Sequence, residues 1–264
     1  MSAENADPAL IASTLWQAWT EGRVLESLPA DATPRDPVEG HAAQAALARL
    51  AGPSIGWKIA ATSTAGQRHI GVDGPLLGRL FERFAFEDGA TLPAQPLHMA
   101  VVEAEFAFRI GRDLDGDGGL PVSREEAIAA VEALHLAIEI PDSRLSGFES
   151  VGAAQLIADD ACAGRFVLGP EVADWRGLDL AAQATEIRVD DVLVATGIGA
   201  NVLGDPREAL VWAANALIEI GEPLRAGDVL TTGTTTVPPP IALGSRVVAD
   251  FGALGSVSLR FAES

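Results

Sequence analysis

Three acidic side chains in two apolar segments are the residues of this sequence best placed to do chemistry. Along residues 101–110 the side chains alternate between the two faces of a predicted strand, so Glu103 and Glu105 share one face while apolar residues share the other. Glu139 lies in a second apolar run, where a charge without a partner would be costly to bury. A hard divalent cation would turn the repulsion between such carboxylates into coordination. The alternative is a half-buried strand with a solvated acidic face, because structural carboxylates are common.

The only lysine of the chain, Lys58, lies in another predicted strand, at residues 55–60. Alternation places it opposite Trp57 and Ile59. Two interpretations are open: a functional ammonium group, or a surface lysine whose stem covers apolar neighbours. The chain has no tyrosine and four histidines, so proton transfer must draw mainly on Lys, Asp, Glu or bound water.

The composition is that of a globular protein with a large acidic excess. Of the 264 residues, 48% are hydrophobic and 21% are charged, which excludes the class of disordered chains. Acidic residues outnumber basic ones by 37 to 18, giving a formal net charge of -19. Because no basic patch of the needed size can be assembled, nucleic acids and anionic membranes are excluded as partners.

The single cysteine and the N-terminus bear on the cellular compartment. Cys162 cannot form an internal disulfide, which fits a reducing cytoplasm. The first seven residues lack the basic and apolar regions of a secretory signal, and no stretch is apolar for the length of a membrane span. The sequence therefore predicts a soluble cytoplasmic protein.

Capping signals predict two helices in the first third of the chain. Asp7 and Asp36 each place a capping side chain before a proline at the first helical position, and Glu39 completes a capping box with Asp36. The helices are predicted to end near Gly22 and Gly52. Their predicted packing residues are Ile11, Leu15, Ala18 and Trp19 in the first helix, and Ala42, Ala45, Ala46 and Leu50 in the second.

From about residue 80 the sequence predicts short β segments separated by Gly, Pro and Asp. A capping box at Ser123 and Glu126 opens a helix that is predicted to run through Val131 and Leu134 toward the strand of Glu139. Because a helix-sized segment joins them, the two acidic strands are predicted to lie near one another, in one sheet or in facing sheets.

The C-terminal half contains a predicted hairpin, a helix and closing strands. Asp190 and Asp191, between two apolar runs, predict a two-residue hairpin turn. Asp205 caps a helix that is predicted to end at Gly221. Strands are predicted at residues 228–230, 246–251 and 256–261.

An Asp/Gly-rich segment, residues 113–118, matches the opening of a calcium-binding EF-hand loop. The match fails at the twelfth position, where a bidentate Glu is required and Arg124 stands. The segment before it is also predicted to be a strand rather than a helix. We therefore interpret it as a turn and not as a calcium site.

Five segments in a fixed order carry a family resemblance. They are Gly-Trp-Lys-Ile at 56–59, Gly-Val-Asp-Gly-Pro at 71–75, Val-Glu-Ala-Glu at 102–105, Ala-Ile-Glu-Ile-Pro-Asp-Ser-Arg at 137–144 and Phe-Gly-Ala-Leu-Gly-Ser-Val at 251–257. Through these segments together, the chain resembles the hydratase/decarboxylase family of 2-oxopent-4-enoate hydratase, within the fumarylacetoacetase superfamily. The resemblance runs from roughly the second predicted helix to the C-terminus.

The resemblance implies the fold class α+β, with a fumarylacetoacetase-like mixed β fold whose coiled sheet surrounds the site. It divides the chain into residues 1–80, a mainly helical region with the first active-site strand, and residues 81–264, a β-rich metal-binding catalytic domain. It also implies a magnesium or manganese ion held by Glu103, Glu105 and Glu139.

The activity that the resemblance implies is metal-dependent addition of water to a 2-hydroxy-2,4-dienoate, giving a 4-hydroxy-2-oxo acid in the meta-cleavage catabolism of aromatic compounds. Lys58 would lie beside the metal and hold the substrate carboxylate or move a proton. Asp73 is the second proton-transfer candidate and His41 the third. The residues predicted to contact the small-molecule substrate are His41, Thr62, Cys162 and Thr234.

The chain departs from the family's pattern in two places. In relatives an amide often stands at the position of Asp160 and a hydroxyl near Cys162, so a hydrogen bond to the substrate is predicted to differ. The loop from Thr231 to Thr236 is richer in threonine than usual. The hydroxyls of Thr234 to Thr236 either donate to a substrate carboxylate or cap the turn.

Three other functions remain open. Decarboxylation of a 4-oxalocrotonate-type 2-oxo diacid uses the same dienolate, and the sequence separates it poorly from hydration. Hydrolysis of acylpyruvates would need a water-activating His–Glu pair, which His41 and Glu39, two residues apart, do not obviously provide. A non-catalytic binding protein on the same fold is opposed by the intact glutamates and lysine, because loss of function usually removes such costly charges first.

The chain is also predicted to form a homo-oligomer. Its mean hydropathy is +0.22 although no membrane segment is predicted, and two of its five tryptophans, Trp16 and Trp19, lie in the first predicted helix. It therefore carries more apolar surface than one modest core needs, and symmetric self-association is the usual way to cover such surface. Members of the resembled family form dimers, and rings built from dimers.

Overall fold

The computed structural model describes residues 6–116 and 121–263 of the chain. Residues 1–5 of the N-terminus and residues 117–118 of the Asp/Gly-rich segment lie outside this range, so the predictions made there stay predictions. In the described part of that segment, the Asp113 carboxylate accepts hydrogen bonds from the Ala226 N–H at 2.9 Å and from Arg225 at 2.8 Å.

The described residues contain six α-helices, most of them capped by an aspartate or serine side chain. Asp7 accepts a 2.9 Å hydrogen bond from the Ala9 N–H, and Ser123 forms the predicted capping box with Glu126. The helices predicted after Asp7, Asp36, Ser123 and Asp205 are confirmed. The helices are α1 Pro8–Glu21, α2 Pro37–Ala51, α3 Thr64–His69, α4 Arg124–Ala130, α5 Ala153–Ala158 and α6 Pro206–Glu219.

The buried face of α2 is rotated from the predicted one. Ala42 and Leu50 are exposed and Ala45 is half-buried, so the prediction was wrong at these three positions. The polar Gln44 is buried instead, because its amide donates a 2.7 Å hydrogen bond to the Leu77 carbonyl inside the protein. An apolar pattern could not predict a helix that buries a polar side chain to make one specific bond.

The capping box predicted for α2 is only half formed. Asp36 accepts a 2.9 Å hydrogen bond from the Glu39 N–H, as predicted. The Glu39 carboxylate accepts instead from the Arg35 N–H and guanidinium, because a charged donor one residue before the cap competes for it.

Twelve β-strands in the described residues form two sheets. The strands are β1 Ser54–Ala60, β2 Leu76–Phe81, β3 Ala85–Glu87, β4 Ala90–Leu92, β5 Glu103–Ile110, β6 Val131–Ile140, β7 Arg165–Glu171, β8 Ala184–Val189, β9 Val192–Ile198, β10 Val229–Thr231, β11 Arg246–Asp250 and β12 Ser256–Phe261. The seven-stranded sheet has the order β2-β1-β10-β5-β6-β7-β3, and the five-stranded sheet has the order β4-β12-β11-β8-β9. This mixed architecture confirms the predicted α+β class.

The two acidic strands are neighbours in one sheet. Strands β5 and β6 pair antiparallel, with Glu103 directly opposite Glu139 and Glu105 opposite Ala137. Of the two arrangements left open by the sequence, the structure therefore has the single sheet. Directly opposite side chains on one face of an antiparallel pair lie within reach of each other, so the register itself brings the carboxylates together.

Helix α4 is shorter than predicted. It ends at Ala130, and Val131 and Leu134 belong to β6, where they pair with Ile110 and Phe108 of β5. The prediction that the helix continues through them was wrong. Their apolar spacing fits a helix and a strand equally well over so short a run, and pairing with β5 decides the outcome.

The seven-stranded sheet has one face toward the main core and one toward the candidate site. Phe106 and Phe108 of β5 lie in the core, where Phe106 meets Phe251 edge to face at a ring distance of 5.2 Å. The opposite face carries the small side chains Ala107 and Ala137 beside the glutamates. These two alanines pack with Leu80, Phe166 and Val229 in a small apolar cluster next to the glutamates.

Helices α1 and α2 form a second packed region with α5. Its core contains Ile11, Leu15 and Leu47, and Trp19 of α1 stacks on Phe84 with ring centres 4.8 Å apart. Strands β1 and β2 of the first part of the chain belong to the seven-stranded sheet. The division at residue 80 stays a prediction.

Among the described residues, none of the helices combines the length and apolar character that a membrane crossing requires.

Candidate metal centre and active site

Three carboxylates converge on the inner face of the seven-stranded sheet. One oxygen from each of Glu103, Glu105 and Glu139 lies within 4.8 Å of the others. Glu105 and Glu139 are fully buried and Glu103 is half-buried. The solvated acidic face considered from the sequence is therefore wrong for this strand.

The electrostatics of the cluster favour a bound cation. Burial, with the two neighbouring carboxylates, raises the pKa of Glu103 well above its usual value, and burial also raises the pKa of Glu105. Burial raises the pKa of Glu139 to about 8, although Lys58 opposes the shift. Oε1 of Glu105 and both carboxylate oxygens of Glu139 are buried without a hydrogen-bond partner among the described residues. Such a set of hard, unsatisfied oxygens fits a divalent ion.

Lys58 extends from β1 toward the same cluster. Its Nζ lies 3.6 Å from Oε2 of Glu139 and donates a 3.1 Å hydrogen bond to the Ala161 carbonyl. The side chain is opposite Trp57 and Ile59, as predicted, but the residue is only 2% exposed, so the interpretation as a surface lysine was wrong. Burial opposes the ammonium charge, yet the three glutamates outweigh it and raise the pKa of Lys58, which keeps the group cationic.

A turn after β10 fixes the orientation of Glu105. The Thr231 hydroxyl and the Gly233 N–H, the latter at 2.8 Å, both donate to Oε2 of Glu105. Gly233 has a φ of +96°, and a Cβ on it would lie 2.1 Å from Oγ1 of Thr62. A glycine is therefore required there. Thr62 packs against Gly233, and its contact with a substrate stays a prediction. Sequence reasoning missed Thr231, although it is the last residue of a strand that adjoins β5.

The hydroxyl groups of Thr234 and Thr235 form hydrogen bonds with backbone groups. The Thr234 hydroxyl donates to the Thr236 carbonyl at 2.9 Å and accepts from the Thr236 N–H at 3.2 Å. The Thr234 hydroxyl therefore caps the turn, and its contact with a substrate stays a prediction. The Thr235 hydroxyl contacts the Ala104 carbonyl at 2.8 Å, whereas Oγ1 of Thr236 is buried without a partner in the described part of the chain.

Residues 160–162 approach Lys58 in an unusual conformation. Asp160, Ala161 and Cys162 have positive φ values of +53°, +49° and +59°, which is the left-handed region that non-glycine residues rarely adopt. This turn presents the Ala161 carbonyl to Lys58. Cys162 is buried, and burial raises the pKa of its thiol to about 12, so the thiol is neutral.

A buried ion pair anchors this turn. Arg144 binds the Asp159 carboxylate and donates a 2.6 Å hydrogen bond to the Ala163 carbonyl, and its guanidinium lies 4.0 Å from the Trp19 ring centre. Ser143 donates to the same carboxylate at 2.7 Å. Sequence reasoning missed this role, although residues 137–144 had carried part of the family resemblance.

We expect Arg144→Met to destabilise the protein by about 3–5 kcal/mol, because it leaves the Asp159 charge buried without its partner. Urea unfolding of the metal-free protein measures the change. Arg124→Met is the matched control, since Arg124 pairs with Asp205 and Glu208 at the surface and its loss should cost less than about 1 kcal/mol. Equal losses in both variants would contradict the anchoring role.

The remaining predicted residues, His41 and Asp73, differ in their burial and in their hydrogen-bond partners. His41 of α2 is partly buried, and burial lowers its pKa. Its Nδ1 lies 3.3 Å from Oε1 of Gln44, whose amide nitrogen donates to Oδ1 of Asp160 at 3.1 Å. Asp73 is exposed in the loop between α3 and β2, and in the described part of the chain no hydrogen bond or ion pair joins it to the glutamates.

Comparison with known proteins decides the family. Residues 82–262 match the family described as fumarylacetoacetate (FAA) hydrolase C-terminal. The chain belongs to this family. The family and the fold that the resemblance implied are both confirmed. In this FAA hydrolase fold the strands bring the three glutamates together.

Relatives within the FAA hydrolase family include two named hydratases. The chain is 35% identical over 207 residues to a 2-keto-4-pentenoate hydratase of Paraburkholderia xenovorans, covering 78% of this chain and 76% of the relative. It is 36% identical over 211 residues to a 2-hydroxyhexa-2,4-dienoate hydratase of Comamonas testosteroni, covering 79% and 78%.

A solved structure matches almost the whole chain. It is the 4-oxalocrotonate decarboxylase from Pseudomonas putida G7, complexed with magnesium and adipate, with a TM-score of 0.86 and 27% identity. The match covers 96% of this chain and 97% of the decarboxylase. A fumarylpyruvate hydrolase from Pseudomonas aeruginosa, at a TM-score of 0.59 and 16% identity, shares the fold alone.

Proposed function

We propose that this protein is a divalent-metal-dependent hydratase that adds water to a 2-hydroxy-2,4-dienoate and gives a 4-hydroxy-2-oxo acid, in the meta-cleavage catabolism of aromatic compounds. The observation that carries the proposal is the buried cluster of Glu103, Glu105 and Glu139 with Lys58 beside it. The named hydratases at about 35% identity support the choice of reaction. We place the reaction in the cytoplasm, in accord with the single buried cysteine.

The metal that we propose is magnesium or manganese, held by the three glutamates. The all-oxygen donor set supports this choice, and so does the magnesium complex of the decarboxylase with the same fold. A divalent ion there would stabilise negative charge on the 2-oxygen of the substrate as a Lewis acid.

The other residues of the site have proposed roles in substrate binding and proton transfer. Lys58 is held as a cation, so it serves as an anchor for the substrate carboxylate and as a hydrogen-bond donor rather than as a base. The proposed substrate contacts also include Thr62, which lies beside Gly233, Cys162 of the left-handed turn, and Thr234. Asp73 and His41 stay predicted proton-transfer candidates. Asp73 lies in an exposed loop.

Decarboxylation of a 2-oxo diacid is the second candidate, because the full-length structural match is a decarboxylase. The two reactions are separated by supplying 2-hydroxypenta-2,4-dienoate and its 6-carbon diacid analogue to the magnesium-loaded protein. We expect loss of the dienoate absorbance with formation of the 4-hydroxy-2-oxo acid. Carbon dioxide release from the diacid without water addition to the dienoate would establish the decarboxylase. No turnover of either substrate would favour a binding protein.

We expect the protein to form a homo-oligomer. Val192, Leu193 and Val194 of the edge strand β9 are 62%, 44% and 43% exposed, which leaves apolar surface for a symmetric contact. Light scattering at micromolar concentration and moderate salt should give a mass at least twice the 27.3 kDa of the chain. A mass equal to that of one chain would contradict the prediction.

A further inference from the structure

A cavity of about 260 Å³ lies at the C-terminal end of α1, outside the metal centre. Its walls come from the end of α1 with the residues that follow it, from the loop at residues 95–98, and from residues 142–144 and 164–165. Cavities of roughly 300 Å³ and above hold drug-sized ligands, so this one suits a smaller molecule.

Arg165 of β7 lines this cavity and lacks an acidic partner. The residue is only 6% exposed. Its Nη2 donates a 3.2 Å hydrogen bond to Oε1 of Gln95, whereas its Nη1 is buried without a hydrogen-bond partner among the described residues. Burial lowers the pKa of Arg165, although Asp142 opposes the shift. A guanidinium group buried in this way is costly unless an anion offsets its charge.

The other charged residues of the cavity are already engaged. Arg23 and Arg144 also line it, and each forms an ion pair with an acid that does not line it. Asp142 is the one acid among the lining residues, and its Oδ1 accepts hydrogen bonds from two backbone N–H groups at 2.7 and 3.0 Å. Arg165 is therefore the cation of the cavity that is left to pair with a ligand.

The rest of the wall is largely apolar. Trp19, Phe84, Pro96 and Leu97 line the cavity beside Arg165. A pocket with apolar walls and one convergent charged group is typical of a site for a small molecule that has an apolar body and a charged head group.

The cavity is separate from the metal centre. None of the three glutamates lines it. Glu139 borders a neighbouring space of about 10 Å³, which Arg165 borders as well. Because a space of that size holds about one water molecule, it does not admit a carboxylate group.

We propose that this cavity binds a small organic carboxylate with an apolar body, whose head group pairs with Arg165. Guanidinium and carboxylate groups match in geometry and form charge-assisted hydrogen bonds, so the ligand supplies the acceptor that Nη1 lacks. The site goes beyond the proposed hydration reaction and does not depend on it.

Benzoate is the probe that tests the proposal. Titration calorimetry of the magnesium-loaded protein and of the chelator-stripped protein should both show benzoate binding with a Kd of about 1 mM or below. Benzyl alcohol, which lacks the charge, and inorganic phosphate, which lacks the apolar body, should each bind at least tenfold more weakly.

The sharpest variant is Gln95→Glu, which builds the missing anion into the protein. Glutamate keeps an oxygen beside Nη2 of Arg165 and adds a negative charge, and position 95 is exposed, so packing is preserved. We expect benzoate affinity to fall at least tenfold and the melting temperature of the ligand-free protein to rise, because Arg165 gains an internal partner.

Arg165→Met is the complementary variant, with Arg207→Met as its matched control. Arg207 is also 6% exposed, but it donates a 2.8 Å hydrogen bond to the Leu178 carbonyl and lies 3.5 Å from Asp205. Arg165→Met should lose benzoate binding without a fall in melting temperature. Arg207→Met should melt at a lower temperature and bind benzoate as the wild type does.

Three results would overturn the proposal. Wild-type affinity of Gln95→Glu for benzoate would show that Arg165 does not hold the head group. Benzoate binding that requires magnesium would place the ligand at the glutamates instead. Phosphate binding as tight as that of benzoate would contradict an organic carboxylate as the ligand. Each of these results leaves the proposed hydration reaction intact.

Discussion

A Glu103→Gln variant is expected to lose at least about 10³-fold in turnover, equivalent to about 4 kcal/mol, together with tight binding of the divalent ion. Glu103 is one of three carboxylates whose oxygens lie within 4.8 Å of each other, and an amide supplies no charge to offset the cation. Its side chain is only half-buried, so the variant should fold. Activity assays at saturating manganese and a metal titration measure the two losses.

Thermal unfolding separates loss of the ion from loss of the fold. Burial and the other two carboxylates disfavour the charged form of Glu103, so its removal should leave the melting temperature of the metal-free protein unchanged or higher. Manganese should raise the melting temperature of the wild-type protein but not that of the variant. Glu186→Gln, at an exposed ion pair of β8, should behave as the wild type. A variant that keeps its manganese response would contradict the ligand assignment.

The Lys58→Met variant is expected to lose about 10²-fold or more in turnover, because methionine keeps most of the side-chain length but removes the cation that we propose anchors the substrate. Lys58 is buried 3.6 Å from Glu139, so the metal-free variant should also melt at a lower temperature than the wild type. Manganese binding should restore most of that stability, since the ion replaces the missing positive charge. Steady-state kinetics and thermal unfolding with and without manganese test both expectations.

An exposed arginine offers the control for Lys58. Arg188 of β8 pairs with Glu186 at the surface, and Arg188→Met should leave both turnover and melting temperature close to those of the wild type. Normal turnover by Lys58→Met would show that the ammonium group has no part in the reaction. Failure of the manganese-loaded variant to fold would show that its role is structural.

Local rules predicted the elements that carry the site. Alternation in residues 101–110 predicted a strand with Glu103 and Glu105 on one face, and the structure confirms it in β5. Capping residues predicted the starts of four helices, because a cap depends only on the residues beside it. The antiparallel pairing that brings Glu139 opposite Glu103 was one of two arrangements left open.

Long-range contacts decided what the sequence could not predict. Lys58 is buried because three acids from other strands surround its ammonium group, and alternation alone cannot distinguish that from exposure to solvent. Gln44 turns α2 toward the interior for bonds to Leu77 and Asp160. The left-handed turn at Asp160 contains no glycine, so its sequence offers no local sign of positive φ.

If the three glutamates hold a divalent ion on which hydration depends, removal of that ion must abolish turnover. The most direct measurement strips the protein with a chelator and then titrates manganese while water addition to 2-hydroxypenta-2,4-dienoate is followed. We predict no turnover in the stripped protein and full recovery that saturates at one manganese ion per chain. Full activity after exhaustive chelation, or recovery without added metal, would show that hydration does not depend on an ion at these glutamates.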